Sequence, residues 1–195
     1  MLLGYNEPSA KERLYESFNG DMNTENINLF QTDRMIARQI QTTDFDDIFK
    51  LHNDPLVART LGGTKTESEV KQCLVNYINQ WQKHGYCYWI FFDKKTSEFI
   101  GRGGLRHVSI NNRDEVEIGF SVKSKFWGKG FATEIGKTAI EVARSFSNIN
   151  NLVCFTTPDN KASLAVMKKL GFVYEHDFEY VGITHVLYRL KITRD

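Results

Sequence analysis

The sequence predicts an α+β fold, and three observations predict it. Helix-like and strand-like runs follow one another in mixed order rather than as a repeating strand–helix unit. In the middle of the chain successive strand-like runs join through short polar turns, as in antiparallel meanders. Beyond them, two glycines one residue apart, Gly128 and Gly130, stand between a strand-like and a helix-like run.

Residues 1–28 are polar, with scattered apolar positions at Leu14, Tyr15 and Phe18, and read as an extension that holds at most one short helix. The regular pattern occupies 29–195. Arg34 to Arg38 reads as a first strand. Asp44 reads as the N-cap of a helix carrying Phe45, Ile48, Phe49 and Leu51. Leu61 to Thr64 is a loop. From about Glu67 to Lys83, Val70, Leu74, Tyr77, Ile78 and Trp81 recur at helical spacing, and Gly85 ends the helix. Tyr86 to Phe92 is aromatic and β-rich, so it reads as a strand. Asp93 to Ser97 turns the chain into Phe99 to Val108, where Gly101, Gly103 and Gly104 suggest bulges or close packing. After a turn at Asn111 to Asp114, Val116, Ile118, Phe120 and Val122 alternate with Glu115, Glu117, Gly119 and Ser121, the signature of a half-buried strand. The next helix carries Phe131, Ile135, Ala139, Val142 and Phe146 on one face. Leu152 to Thr156 is a short strand, Asn160 to Leu170 a helix closed by Gly171, and Val173 to Ile192 a hairpin turning near Gly182.

Composition narrows the functions. With 25 basic and 24 acidic side chains the net charge is +1, and no basic stripe is present, which argues against a duplex nucleic-acid binder. The N-terminus lacks the apolar core of a secretory signal, and the longest uncharged apolar run, Tyr86 to Phe92, is too short for a bilayer. Cys73, Cys87 and Cys154 form neither a disulfide framework nor a metal pair. A cytoplasmic protein without metal or membrane partner, monomer or homodimer, is expected.

The chemistry lies in two segments. In Lys125-Phe126-Trp127-Gly128-Lys129-Gly130-Phe131-Ala132-Thr133-Glu134 a glycine turn opens a helix, whose first amides and dipole suit a phosphate. The spacing is neither a Walker loop nor a dinucleotide fingerprint. One helix and one strand later comes Asn160-Lys161-Ala162-Ser163-Leu164-Ala165-Val166-Met167-Lys168-Lys169-Leu170-Gly171-Phe172. In this order the two segments resemble the GNAT superfamily of N-acetyltransferases: the pyrophosphate loop R/Q-x-x-G-x-G/A, then the N-x-x-[A/S] helix ending in Leu-Gly-Phe. Thr32-Asp33-Arg34 and Asp44-Phe45-Asp46-Asp47-Ile48 resemble the family's opening, close to its ribosomal-protein-alanine acetyltransferase branch. The resemblance covers about residues 29–192.

The resemblance implies a central mixed, mostly antiparallel sheet of about seven strands flanked by helices, with the fourth and fifth splayed. It implies acetyl-CoA as acyl donor. The pyrophosphate would lie on Lys125, Gly128, Lys129, Gly130, Phe131, Ala132 and Thr133. The pantetheine arm would pair with the edge of Ile118, Phe120 and Val122, and the thioester would sit near Glu117 and Ser163, with Asn160 facing the arm. Lys125 departs from the family's Arg or Gln, and backbone amides make that tolerable. Met167 stands where many members place a proton-donating tyrosine, so Ser163 is the candidate acid, as in the ribosomal-protein branch. Glu117 is the candidate base for the acceptor amine, directly or through water, with Glu115 as rival and Asp114 as turn chemistry. A backbone N–H near Phe120 would steady the carbonyl oxygen. Tyr86, Tyr88, Trp89, Arg102, Arg106, His107, Glu179, Tyr180 and His185 are the polar and aromatic candidates around the acceptor. The implied function is acetyl transfer to a primary amine, on a protein N-terminus or a small molecule, in a ternary complex. The alternatives are an inactive acyl-CoA-binding sensor and a binding module displaying its N-terminal extension.

Overall fold

The computed structural model describes residues 27–194, so the short helix foreseen within 1–28 lies essentially outside the described residues. The strands are β1 (Leu29–Gln31), β2 (Met35–Gln39), β3 (Tyr88–Asp93), β4 (Phe99–Ile110), β5 (Arg113–Val122), β6 (Asn151–Thr156), β7 (Val173–Tyr180) and β8 (Ile183–Lys191). The helices are α1 (Phe45–His52), α2 (Pro55–Thr60), α3 (Glu67–His84), α4 (Phe131–Ser145) and α5 (Lys161–Lys169). The strands form one sheet in the order β1-β2-β3-β4-β5-β6-β8-β7. Every neighbouring pair is antiparallel except β5 and β6. The mixed α+β class therefore stands, with eight strands rather than about seven. The added strand is β1, three residues paired with β2 from Leu29↔Arg38 to Gln31↔Ile36; so short a run shows no alternation. The splayed pair, expected as the fourth and fifth strands, becomes the fifth and sixth, which run parallel.

Two local readings change. Asp44 occupies the N-cap position of α1 as expected, but its side chain does not bond the helix amides: its carboxylate accepts from the Gln41 N–H at 2.7 Å and from the Arg38 guanidinium, closing a 3-10 turn at Thr42–Asp44 that precedes the helix. With three acceptor sites taken by Gln41 and Arg38, this carboxylate makes no bond to the amides of α1. And α2 appears where no element was predicted. Asp54 accepts from the Leu56 and Val57 amides, and Pro55 occupies the first helical position, where its missing N–H costs nothing.

Elsewhere local chemistry and pairing agree. Thr66 and Glu69 close a capping box on α3, and Gly85 ends it in the left-handed region at φ 76°, its N–H on the Trp81 carbonyl. Asn111 and Asn112, both at positive φ, make the two-residue hairpin between β4 and β5. The close-packing reading of the β4 glycines holds. A Cβ at Gly101 would strike the Ser121 carbonyl, and one at Gly103 would meet Ile135 of α4 at 2.5 Å. At the crossing of α4 and α5, Leu170 fills the space where Gly136 has no side chain, which gives the Leu-Gly-Phe ending a packing role. The main core joins residues of α1, α3 and α4 to both faces of the sheet, with Ile48, Leu74, Trp89, Phe91, Leu105, Ile118 and Ile135 deeply buried.

Candidate active site

The site begins where β5 and β6 part. Being parallel, the two strands run the same way, and each feeds a helix at its carboxyl end: β5 leads to α4 and β6 to α5. They meet in register at one pair, Glu117↔Val153. Lys123 donates its N–H to the Ile100 carbonyl on the β4 side. Backbone direction alternates along a strand, so Ile118, Phe120 and Val122 turn their N–H and C=O groups toward β6. Beyond Glu117 this edge runs along the gap, as expected for a strand that receives a ligand by backbone pairing. Some of its groups are in use: the Glu117↔Val153 pairing engages the Ile118 N–H, and the Val122 carbonyl accepts from the Trp127 indole N–H at 2.7 Å.

At the end of the gap lies the glycine turn. Gly128 and Gly130 stand at φ 73° and 84°, the left-handed region where glycine alone is unstrained. A Cβ at Gly128 would point into open space, so that glycine is required by backbone shape and leaves the approach clear. Gly130 is the N-cap of α4 and brings no capping side chain, so the first-turn amides of Phe131, Ala132 and Thr133 receive no side-chain cap.

What holds this uncapped end is a clamp that the sequence reading missed. Glu134 accepts from the Thr32 hydroxyl at 2.5 Å, from the Arg34 N–H at 2.9 Å and from Arg34 Nε at 2.7 Å. Arg34 also donates to the Lys129 carbonyl at 2.8 Å and lies 4.3 Å over the Phe131 ring. Burial alone would raise the Glu134 carboxyl; the bonds from Thr32 and Arg34 outweigh it and hold its pKa below the ordinary value. The signal was present in Thr32-Asp33-Arg34 and in the acidic first turn of α4, a hundred residues apart. Among the loop lysines, Lys125 pairs with Glu98, and Lys129 lies 5.5 Å from the Phe126 ring.

On the β6 side Asn160 caps α5, accepting from the Ser163 N–H at 3.1 Å and donating to the Thr156 hydroxyl at 3.0 Å. It thereby ties the start of α5 to the end of β6. Ser163 is half-buried, and its hydroxyl makes no hydrogen bond among the described residues. Met167 is fully buried. Cys154, beside Glu117 in the core, is held as a thiol by burial and by that carboxylate.

The carboxylates of β5 separate clearly. Glu117 is 5% exposed, although alternation puts it on the polar face of a half-buried strand, because that face of the sheet is covered. Arg106 Nε and Nη2 both contact Glu117 Oε2, at 2.7 and 2.5 Å, and Oε1 meets no donor among the described residues. Burial would lower the Arg106 pKa, but Glu117, together with the nearby phenols of Tyr88, Tyr180 and Tyr77, more than offsets it. Glu115 spends both oxygens on Arg189, at 2.9 and 2.8 Å, and Arg189 also bonds Glu175. Asp114, at the hairpin, is 81% exposed.

Of the acceptor-side candidates, Tyr88, Arg102 and Arg106 come together with Glu117. Both guanidinium groups lie over the Tyr88 ring, and the Tyr88 hydroxyl reaches Gly119. The others go elsewhere. Trp89 is core and donates to the Ile27 carbonyl. Tyr86 packs on Phe146, and His107 stacks on His84 at 4.5 Å. Glu179 bonds Thr184, while Tyr180 and His185 form an aromatic cluster with Phe155.

Comparison with known proteins agrees with this arrangement. The profile of the Acetyltransferase (GNAT) domain matches residues 34–173. An uncharacterized Bacillus subtilis protein, YkkB, is 32% identical over 145 residues, 73% of this chain and 84% of that protein. The ribosomal-protein-S5-alanine acetyltransferase of Vibrio fischeri shares the fold with a TM-score of 0.68 and 21% identity, over 84% of this chain and 96% of that one. So does RimL, a ribosomal L7/L12 α-N-protein acetyltransferase solved with coenzyme A, with a TM-score of 0.67 and 19% identity, over 84% and 98% of the two chains.

Proposed function

This chain belongs to the GNAT family of acetyltransferases, and from that premise we propose that it moves the acetyl group of acetyl-CoA to a primary amine, with Glu117 as base and Ser163 as acid. Kinship with the ribosomal-protein-alanine branch is part of the proposal. A serine at the acid position and the shared fold of the Vibrio fischeri enzyme support it.

The donor fits the residues present. Its diphosphate finds first-turn amides under no capping side chain, and its amide-bearing arm finds the gap-facing edge of Ile118, Phe120 and Val122. When bound, acetyl-CoA supplies an activated acyl carbon. Glu117 sits at the last point where β5 and β6 still touch, with Oε2 fixed by Arg106 and Oε1 unengaged. That unengaged oxygen carries the reading. An ionised carboxylate with one oxygen anchored is oriented, and the other oxygen takes a proton from an ammonium group, directly or through water. Glu115, with both oxygens held in a bidentate pair, has none to offer. The Phe120 N–H faces the gap as a donor for the carbonyl oxygen. Ser163, its main chain fixed by Asn160, presents a hydroxyl to the departing sulfur.

Release of free thiol from acetyl-CoA across a panel of amines tests the reading. Thiol release that depends on the amine, and is lost in Glu117→Gln with acetyl-CoA affinity kept, is the expected result. Equal loss of turnover and affinity would remove Glu117 from the role of base.

A further inference from the structure

Arg102 lies on β4, 7% exposed, and forms no hydrogen bond or ion pair among the described residues; its Nε is buried without a partner. Its guanidinium contacts two rings instead, 4.5 Å from the centroid of Tyr88 and 5.4 Å from that of Tyr77. Burial raises both phenols above the ordinary tyrosine value, so neither ring supplies a negative charge at neutral pH. His52, at the end of α1 and 2% exposed, has both ring nitrogens unpartnered. Burial first, and then Arg102, lower its pKa to about 3, so it too is neutral. Burying an unpaired charge costs more than a cation–π contact returns. Two such contacts leave Arg102 short of compensation. Arg106 on the same strand has its carboxylate, Glu117.

Arg102 shares a sheet face with Glu117. Register pairs Arg102 with Ser121 and Arg106 with Glu117, and the Tyr88 ring contacts both guanidinium groups, Arg106 at 5.8 Å from its centroid. Helix α4 covers the opposite face, at Gly103 and Ile135, so Arg102 points away from the helix whose start suits phosphate. Tyr88, 2% exposed, thus carries on one ring both Arg102 and the Arg106 that holds Glu117, which brings the unpaired guanidinium close to that carboxylate.

We propose that the acyl acceptor is a small primary amine bearing a carboxylate, with the carboxylate on Arg102 and His52 and the amine beside Glu117. A planar guanidinium suits a carboxylate, and an imidazole with free nitrogens adds a neutral donor. The inference rests on the acetyltransferase reading and narrows its acceptor.

The test uses the full chain with acetyl-CoA and a panel of α- and ω-amino acids and dipeptides, each beside its own carboxamide. Free acids should be acetylated with kcat/KM at least tenfold above their carboxamides. Arg102→Met should erase that ratio through KM, and Arg102→Lys should keep part of it. Calorimetry with acetyl-CoA on both variants should show unchanged affinity, which confirms that they fold. Carboxamides or polyamines reacting as well as free acids in the unaltered protein would overturn the proposal, as would a ratio that survives Arg102→Met. Acetyl-CoA binding with no amine of any charge reacting would bring down the transferase reading, and this proposal with it.

Discussion

The two edges of β5 serve opposite ends. Toward β4 the strand is zipped through ten pairs, from Gly101↔Val122 to Ile110↔Arg113. Toward β6 it makes a single pair, Glu117↔Val153. One edge is committed to the fold, and the other is the one our proposal gives to the donor. The carboxylates of the strand repeat the contrast, since Glu115 is bound at both oxygens and Glu117 at one. The helix starts repeat it again. On α3, Thr66 and Glu69 occupy the terminal amides; on α4 a glycine leaves them open, and Arg34 and Glu134 hold the helix from the side. An open binding edge is tolerated where neighbouring elements supply the rigidity.

The largest expected effect separates the two glutamates. Glu117→Gln should lower kcat by about 10²–10⁴-fold, the range for loss of a general base, at constant acetyl-CoA affinity. Glu115→Gln should cost stability and less than about tenfold in kcat. Steady-state kinetics on both variants decides, and similar losses would erase the distinction.

Next comes the clamp. Glu134→Gln should destabilise the fold by about 2 kcal/mol, since hydrogen bonds to a charged group are lost from a largely buried position. Glu134 has a folded pKa below its ordinary 4.5, so its contribution is complete above that value and disappears as pH falls through the depressed one. Urea melts at falling pH should therefore show an acid-side loss of stability that is smaller in the variant. Identical pH slopes would remove the clamp from the account.

Gly130→Val places a β-branched residue at φ 84°, which costs roughly 1–2 kcal/mol. If that strain is relieved by distorting the turn, acetyl-CoA should bind about tenfold more weakly by calorimetry. Unchanged affinity would mean that the turn does not contact the donor.

The smallest effect is the control at the other helix. Thr66→Ala should cost about 1 kcal/mol of stability with no change in donor affinity. A shift in affinity would show that the two helix starts are not independent.

How much of this the sequence revealed follows from distance along the chain. The Gly128–Gly130 turn, the Asn160 cap and the Leu-Gly-Phe ending are local, and each carries its cause within a few residues. The clamp was hidden because Arg34 and Glu134 meet only through the folded sheet. Glu115 and Glu117 were indistinguishable for the same reason, as their partners Arg189 and Arg106 come from other strands. Alternation read β5 as half-buried with Glu117 on its polar face, yet Glu117 is buried, because periodicity shows which residues share a face and not whether that face is covered. Asp44 had the right chemistry for a cap, yet Arg38 and Gln41 claimed it for the preceding turn.

Residue-resolved amide hydrogen exchange, with and without coenzyme A, tests the contrast at its root. The Gly119 and Ser121 amides, facing β4, should be protected throughout. Those of Phe120, Phe131, Ala132 and Thr133 should exchange quickly in the free protein and become protected when coenzyme A is added. Saturating coenzyme A that leaves these four amides as fast as before would contradict the account.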